Sequence, residues 1–436
     1  MRKPLSQGST RRTAVIGGWA ILTALALSQG WGYGGPARDH TPQQQRLASK
    51  QQRHFQQQQQ QQQQSSTLPA PEMPPVGRKA RHDKHSGKRS SKLSSSSTKH
   101  GSSSSRGDAP LTSDVSCARR PSDPPNITPR EVDLQQQRLA ALEQFEGQPP
   151  GGYVAACAIV KDQADELPEW LDYHRRLGVS HFYVMDDHSQ PSLEAVLAPY
   201  IKAGVATHRA LPEKADAQRA IRKATCHEPY IGHKQLMAYH LCLLEFGHRH
   251  QWMAFFDIDE FFVIMDNSSS LPAVLRDYEA YGGLGVNWRM FGSSEHVKRQ
   301  PNTLSAYTKC YPPDHVENTL IKTVANMQYL ARMAGPHDAL FAPGYHTVNS
   351  LRAPVDRWLS APADYSRLAL HHYAIKSRQD FASKAARGDS MSDEGKIVED
   401  FWERIEAGST DNCTAGEEML RRFGSGPADD KAQNPA

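Results

Sequence analysis

An uninterrupted apolar run, Tyr153 to Val160 (YVAACAIV), most restricts what this 436-residue chain can fold into. An apolar run without alternation predicts a parallel strand that is buried on both faces. Leu167 to Leu177 follows with apolar residues at helical spacing, and Gly178 ends that predicted helix. His181 to Met185 is a second short strand. This order predicts an α/β domain with a doubly wound sheet.

The alternation continues along the chain. A second helix is predicted over Pro191–Ala203, a strand over Val205–His208, a third helix over Gln235–Phe246 and a fourth strand over Trp252–Phe256. We expect one globular domain over residues 151–425, followed by a disordered tail over 426–436. In a sheet of this kind ligands collect at the carboxyl ends of the strands, so the residues directly after each strand are the informative ones.

Roughly the first third of the chain is too polar and repetitive to bury a core. It contains nine consecutive glutamines, Gln56 to Gln64, and two serine clusters further on. This composition predicts a disordered stem over residues 34–150. Within it, Leu134 to Phe145 has helical spacing and predicts a short helix just before the domain.

The amino terminus indicates where the protein resides. Basic residues come first: Arg2, Lys3, Arg11 and Arg12. No charged residue follows between Thr13 and Ala37. This pattern predicts a cytoplasmic tail over 1–12 and a signal anchor over 13–33, with the remainder luminal. A cleaved signal peptide is the alternative. Both place the domain in the secretory pathway, and we expect a single-pass type II protein of the Golgi or another secretory membrane.

Charge and cysteine usage exclude some classes of partner and site. The net charge is only +4 and gives no indication of a nucleic-acid partner, so none is expected. The six cysteines include no CxxC pair, which excludes a zinc site of the usual spacing. An even number suits disulfides in an oxidising lumen, although the sequence does not fix their pairing. Glycosylation sequons occur at Asn126, Asn267 and Asn412.

Acidic residues follow three of the predicted strands. Asp162 comes after the first strand, Asp187 after the second, and Asp257 and Asp259 after the fourth. In an extended segment Asp257 and Asp259 point the same way, which makes a hard oxygen site suited to Mg²⁺ or Mn²⁺ with positions open for substrate phosphates. The alternative is an ordinary strand end with solvated acids.

Several motifs in order give these residues a family context. The matching stretches are IVKDQADELPEWLDYHRRLGVSHFYVMDDHS, HKQLMAYHLCL, WMAFFDIDEFF, LGVNWRMFGSS, GPH and HHYAIKSRQDFASKAARG. They resemble glycosyltransferase family 92 and related family-2-like transferases, over about Val154 to Gly388. The resemblance implies a GT-A type glycosyltransferase fold, a UDP-sugar donor with galactose favoured, and transfer with inversion to a glycan or polysaccharide acceptor. It also implies a Mn²⁺ (or Mg²⁺) cofactor.

The resemblance also assigns residues. The expected donor-binding residues are Lys161, Asp162, Asp187, Lys234, Asp257 and Lys376. The expected metal ligands are Asp257, Asp259 and His372, with Asp259 as the direct ligand. His371 beside His372 makes the histidine assignment ambiguous. This chain departs from the family in having Lys161-Asp162-Gln163 where Lys-Asn-Glu is usual, and Glu295 where Gly is frequent, and both changes bear on the donor sugar.

The catalytic base stays open among three carboxylates, Glu295, Asp338 and Glu317. Trp288 is either a platform for a sugar face or a core residue. An alternative function is a glycosyltransferase-like carbohydrate-binding protein that has lost turnover. The absence of a P-loop, a GxGxxG after the first strand and a G-x-S-x-G argues against other nucleotide-dependent α/β enzymes.

Overall fold

The computed structural model describes residues 117, 126–145, 149–227, 233–388 and 399–424. The helices are α1 (Pro129–Glu143), α2 (Leu167–Arg176), α3 (Glu194–Lys202), α4 (Lys214–Thr225), α5 (Lys234–Phe246), α6 (Leu271–Arg276), α7 (Thr303–Ala306), α8 (Arg378–Arg387), α9 (Glu399–Gly408) and α10 (Ala415–Phe423). The strands are β1 (Val154–Val160), β2 (His181–Asp186), β3 (Ala206–Ala210), β4 (Trp252–Phe255), β5 (Glu260–Ile264), β6 (Gly283–Met290), β7 (Lys309–Cys310), β8 (Ile321–Asn326), β9 (Leu330–Met333), β10 (Ala339–Phe341), β11 (Thr347–Val348), β12 (Leu368–His372) and β13 (Asp411–Asn412).

The predicted tail, signal anchor and most of the predicted stem (1–12, 13–33 and 34–116) lie outside the described residues, as does the carboxyl-terminal segment 426–436. None of the helices in the described part is both long and apolar enough to span a bilayer.

A nine-stranded mixed sheet forms the centre of the fold, in the order β3-β2-β1-β4-β8-β6-β12-β5 with β11 beside β6. The first four strands are parallel, with β2 and β4 on either side of β1, which is the doubly wound arrangement that the sequence predicts. The second half departs from it, because β8 is antiparallel to β4 and β6, and β5 is antiparallel to β12. The short segment between β4 and β5 cannot make a parallel crossover, which needs a dozen residues or more.

These strand directions decide which residues meet at one edge of the sheet. The carboxyl ends of β1, β2, β4, β6 and β12 lie at the same edge. Because β8 and β5 run the opposite way, their first residues lie there too. Lys322 near the start of β8 and Glu260 at the start of β5 are therefore brought to the edge where the predicted site residues lie.

β1 is buried on both faces, as its apolar run predicts. Val154, Ala156 and the other even-numbered residues pack in the layer that contains Trp170 of α2. The odd-numbered residues, Cys157 among them, pack in the layer that contains Tyr239 of α5. Cys157 is a buried thiol, as is Cys242.

Helix α2 also fixes the position of β5. The indole of Trp170 donates to the Glu260 carbonyl oxygen (3.0 Å), and the Tyr173 hydroxyl donates to the Phe262 carbonyl oxygen (2.6 Å). Both rings are fully buried. The acidic turn between β4 and β5 is thus held against the aromatic face of α2.

Helix α1 is longer than the sequence predicts, and it packs against the domain. It begins at a capping box formed by Thr128 and Glu131 rather than at Leu134. Arg138 is buried and donates hydrogen bonds to the carbonyl oxygens of Met327, before β9, and Leu330, the first residue of β9. The helix predicted from Leu134 is therefore present but begins earlier in the predicted stem, because burial of one face against the domain offsets the entropy cost of ordering.

Two disulfides, whose pairing the sequence left open, join distant parts of the domain. Cys117 pairs with Cys226 at the end of α4, and Cys310 in β7 pairs with Cys413 after β13. Helix α4 was not predicted, since its buried stripe is narrow and contains only Ala217, Ile221 and Thr225. The sequon asparagines Asn126, Asn267 and Asn412 are exposed.

Replacement of Arg138 by alanine is expected to destabilise the domain by about 2–4 kcal/mol, because two buried carbonyl groups lose their donor and the side chain's packing is lost. Chemical denaturation of the full-length protein measures this cost. Gln137→Ala, on the exposed side of the same helix, is the matched control and should change stability by less than about 0.5 kcal/mol. Equal effects of the two substitutions would show that α1 does not contribute to the folded domain.

Candidate active site

The loops after β1 and β2 are tied together by Asp162. This residue adopts a positive φ of 52°, and its backbone N–H donates to the Ser189 hydroxyl (3.0 Å). Its carboxylate accepts a hydrogen bond from the backbone N–H of Gln190 (2.6 Å). The Asp162 side chain therefore holds these two loops at the sheet edge.

Asp187 lies at the end of β2 between two lysines. The ammonium of Lys234, at the start of α5, is 2.9 Å from both carboxylate oxygens. The ammonium of Lys161 is 4.0 Å from Oδ2. The Asp187 side chain is only 6% exposed, whereas those of Lys161 and Lys234 are 41% and 38% exposed. The structure thus brings together three of the predicted donor-binding residues, with the two ammonium groups on the solvent side.

The Asp257–Glu260 segment is a turn, and the prediction of an extended D-x-D is wrong. The Glu260 N–H donates to the Asp257 carbonyl oxygen (3.1 Å), and the Glu260 carboxylate accepts from the Asp257 N–H (2.8 Å). The chain must reverse here because β5 starts directly after β4 and pairs at the far end of the sheet. The two carboxylates therefore have separate partners.

Asp257 is held by residues of α5 and β8. Its Oδ1 accepts from the side-chain amide of Gln235 (2.5 Å), and its Oδ2 lies 2.9 Å from the ammonium of Lys322. Gln235 directly follows Lys234 in α5, so the first turn of this helix contacts both Asp187 and Asp257. A single helix end thereby fixes the spacing between these two acids.

Asp259 is held by β12 and α8. Its Oδ2 lies 2.7 Å from the ammonium of Lys384, and its Oδ1 lies 3.7 Å from Nε2 of His372. Burial raises the pKa of Asp259, but the charge of Lys384 lowers it more, so the carboxylate is ionised. Burial lowers the pKa of His372 to about 4 against the effect of Asp259. The imidazole is then neutral, which is the form that binds metals.

The two neighbouring histidines of β12 lie on opposite faces of the strand. His372 faces Asp259, while His371 is buried against Phe291 with ring centroids 4.5 Å apart. Burial also lowers the pKa of His371, to about 3. The ambiguity in the sequence is thus removed, because His372 is the histidine that reaches the edge.

The donor set around Asp259 fits a metal ion that arrives with a phosphate ligand. No group of three or more His, Cys, Asp or Glu in the described ranges could hold an ion by itself. Asp257, the third predicted ligand, is turned toward Lys322 instead. Mg²⁺ sites in enzymes of phosphorylated substrates commonly take one or two protein ligands and complete their coordination with phosphate oxygens and water. The Asp259–His372 pair can supply two such ligands.

Glu260 and Lys322 are site residues that the sequence reasoning missed. Lys322 is buried, 2.9 Å from Asp257 and 3.8 Å from the Glu260 carboxylate. Burial raises the pKa of Glu260 to about 8 against the charge of Lys322, and the charges of Asp257 and Asp259 add to the rise. A lysine in the strand IKTVAN, which also contains Ile321, Val324 and Ala325, is the sequence signal that points to Lys322.

Trp288 at the end of β6 faces the same edge. Its indole N–H donates to the Glu260 carboxylate (2.7 Å). Its ring lies 4.4 Å from that of His372 and 5.1 Å from that of His337, measured between centroids. Trp288 is half-buried, so one part of the ring stays accessible beside Asp259 and its partners. This position is compatible with a sugar platform.

Lys376 belongs to a second cluster of charges next to Asp259. Its ammonium lies 2.7 Å from Glu166, in the loop between β1 and α2, and the guanidinium of Arg387 lies 3.6 Å from the same carboxylate. The buried pair is ionised, because Lys376 and Arg387 lower the pKa of Glu166 although burial raises it. Lys376, Lys384 and Arg387 thus concentrate positive charge at the start and along one side of α8.

The three candidate bases are not brought together. Glu295 is exposed, at a position with a φ of 65°. Glu317 forms an ion pair with Arg404 of α9. Asp338 is partly buried, and burial raises its pKa against Arg357 and Arg332. Asp338 directly follows His337, whose ring packs on Trp288, so it is the candidate nearest in sequence to a residue of this edge.

Replacement of Lys322 by methionine is expected to cost about 1.5–3 kcal/mol of stability, because Asp257 loses its counter-charge and a charge-assisted hydrogen bond. Urea denaturation of the full-length protein measures it. Lys161→Met is the matched control, because the Lys161 side chain is partly exposed and its ammonium lies 4.0 Å from Asp187. This substitution should cost less than about 1 kcal/mol of stability. Addition of Asp257→Asn should restore part of the loss in the Lys322 variant. No restoration would contradict an interaction between the two residues.

Comparisons with known proteins relate the chain to a family. Residues 154–352 match the sequence model of glycosyltransferase family 92. A glycosyltransferase family 92 protein of Ricinus communis is 24% identical over 236 residues, covering 53% of this chain and 37% of the relative. One of Oryza sativa subsp. japonica is 29% identical over 148 residues, covering 33% and 22%.

The chain therefore spans well under two thirds of the length of these relatives. A crystal structure of a mycobacterial protein overlaps 36% of this chain and 45% of that chain at 14% identity, with a TM-score of 0.22, too low to bear on the fold. The family resemblance that the motifs indicate is thus confirmed over residues 154–352, which match glycosyltransferase family 92.

Proposed function

We propose that this protein transfers a sugar, with galactose favoured, from a UDP-sugar to a hydroxyl of a glycan or polysaccharide. The proposal includes a GT-A type fold, inversion at the sugar carbon and a Mn²⁺ or Mg²⁺ cofactor. The main support for this proposal is a row of polar side chains along one edge of the sheet, here called the polar strip. It runs from Asp187 with its lysines at β2 to Asp259 with His372 at β12. A nucleoside, a diphosphate and a sugar bind in sequence along such a strip.

Asp187 supports the nucleoside end of the donor. Its buried carboxylate is fixed by Lys234 and offers acceptor oxygens to the ribose hydroxyls or the uracil N–H. Lys161 and Lys234 are the more exposed members of the cluster and lie on its solvent side. From there the diphosphate would run past Asp257 toward β12.

The diphosphate end is supported by Asp259 and its neighbours. Asp259 and His372 would hold the metal ion, which when bound neutralises charge on the departing diphosphate. Lys384 and Lys376 place two further cations beside that position. Fixed positive charge at a leaving group lowers the barrier to bond cleavage, and it is most effective at a site that excludes water.

Asp338 is the proposed general base. Inverting transfer needs a carboxylate that removes the proton of the acceptor hydroxyl as it attacks. Asp338 has a raised pKa and directly follows His337, whose ring packs on Trp288. Glu317 is neutralised by Arg404, and Glu295 points into solvent, which leaves both less suited to this role.

The cellular setting belongs to the same proposal. A signal anchor at residues 13–33 would place the domain in the lumen of the Golgi or another secretory membrane. Two disulfides within the domain and three exposed sequon asparagines suit an oxidising, glycosylating compartment.

The first test measures UDP release from a panel of UDP-sugars by the full-length protein, with Mn²⁺ or with a chelator. Release is expected from one sugar, and Asp259→Asn should reduce it by a factor of at least about 100, because the metal ligand and its charge are lost. Asp216→Asn, at an exposed position on α4, is the control and should keep full activity. A folded protein that binds UDP without releasing it from any sugar, with or without acceptor glycans, would instead indicate the carbohydrate-binding alternative.

Asp338→Asn is expected to lower kcat by about 10²–10⁴ and leave UDP affinity unchanged, because the base acts only on the acceptor hydroxyl. Steady-state kinetics with the best donor and calorimetric UDP binding measure the two quantities. Glu317→Gln and Glu295→Gln provide the comparison. A larger kcat loss in either of them than in Asp338→Asn would move the base assignment to that residue.

A further inference from the structure

Lys384 contacts one carboxylate oxygen of Asp259, the proposed metal ligand. Its ammonium lies 2.7 Å from Oδ2 of Asp259 and 2.8 Å from the carbonyl oxygen of Ala374. The Asp259 side chain is only 9% exposed, so the ammonium is placed on a carboxylate that has little access to water. Lys384 is thereby the resident counter-ion of Asp259.

A divalent cation and this ammonium cannot both lie on Asp259 at low cost. Like charges a few ångströms apart repel, and the repulsion is stronger away from bulk water. A metal ion shared by Asp259 and His372 therefore favours departure of Lys384. The backbone of α8 is fixed by a capping box at Ser377, but the four-carbon stem of a lysine can move its ammonium by several ångströms without moving the helix.

The other nearby lysines are engaged with different acids. Lys322 lies on Asp257, and Lys376 lies on Glu166. Both are almost fully buried, with side-chain exposures of 2% and 7%, whereas that of Lys384 is 20%. Among these three lysines, Lys384 combines contact with the proposed metal ligand and access to the open side of the edge.

We propose that Lys384 is a displaceable counter-ion that makes metal and nucleotide binding cooperative. Without nucleotide it holds Asp259, and it transfers to the donor diphosphate when the nucleotide binds, which frees Asp259 for the metal ion. This inference rests on the proposed function, because it requires a diphosphate at this end of the strip. By linkage, the nucleotide tightens metal binding by the same factor as the metal tightens nucleotide binding.

The test measures Mn²⁺ binding to the full-length protein from the electron paramagnetic resonance signal of free Mn²⁺, with and without UDP. Wild-type protein is expected to bind Mn²⁺ weakly alone and more tightly with UDP. Lys384→Met should strengthen Mn²⁺ binding in the absence of UDP, on the order of tenfold, because one positive charge leaves Asp259. The same substitution should shrink the effect of UDP on Mn²⁺ affinity.

Two further variants separate the specific effect from general ones. Lys384→Arg keeps the charge and should retain the weak binding without UDP, which also checks that substitution at this position leaves the fold intact. Lys202→Met, at an exposed position on α3, should leave both Mn²⁺ affinities unchanged. Unchanged or weaker Mn²⁺ binding without UDP in Lys384→Met would overturn the inference alone. Absence of Mn²⁺ binding to the wild-type protein with UDP would overturn the proposed function as well.

Discussion

The pairing of carboxylates with lysines along one sheet edge is the interaction on which the site depends. Asp187 is held by Lys234, Asp257 by Lys322, and Asp259 by Lys384. Without these partners the acids would repel one another, and Asp187 and Asp259 would be buried without a counter-charge. The lysines come from α5, β8 and α8, so the charges also fix how distant segments of the chain meet. A site that binds a phosphorylated donor needs this positive charge as well.

The sheet topology explains why the partners come from such distant positions. In the parallel half of the sheet, Lys161, Asp187 and Asp257 follow strands that lie side by side. The mixed half delivers Lys322, Trp288 and His372 from strands that are antiparallel or reached by long connections. His372, Lys376 and Lys384 lie beyond residue 352, where the family match ends. The carboxyl-terminal segment of the domain therefore supplies much of the proposed diphosphate end.

The sequence predicted the parallel half of the fold well, and the acids at its strand ends with it. The run at β1 and the helices after it follow directly from hydrophobic periodicity. Lys322 and Glu260 escaped prediction because their position at the edge depends on strand direction, which periodicity does not encode. The turn at Asp257–Glu260 escaped for a related reason, since it is set by where β5 pairs. Helix α1 was underestimated because four of its seven buried residues, Arg138 among them, are polar.

We propose above all that the polar strip binds a nucleoside diphosphate, with the nucleoside at β2 and the diphosphate at β12. A crystal structure of the full-length protein with UDP and Mn²⁺ tests it most directly. We expect the uracil and ribose to lie beside Asp187. The metal ion should be bound by Asp259 and His372, with Lys384 turned toward the diphosphate. UDP bound in the reverse direction, or away from this edge, would contradict it.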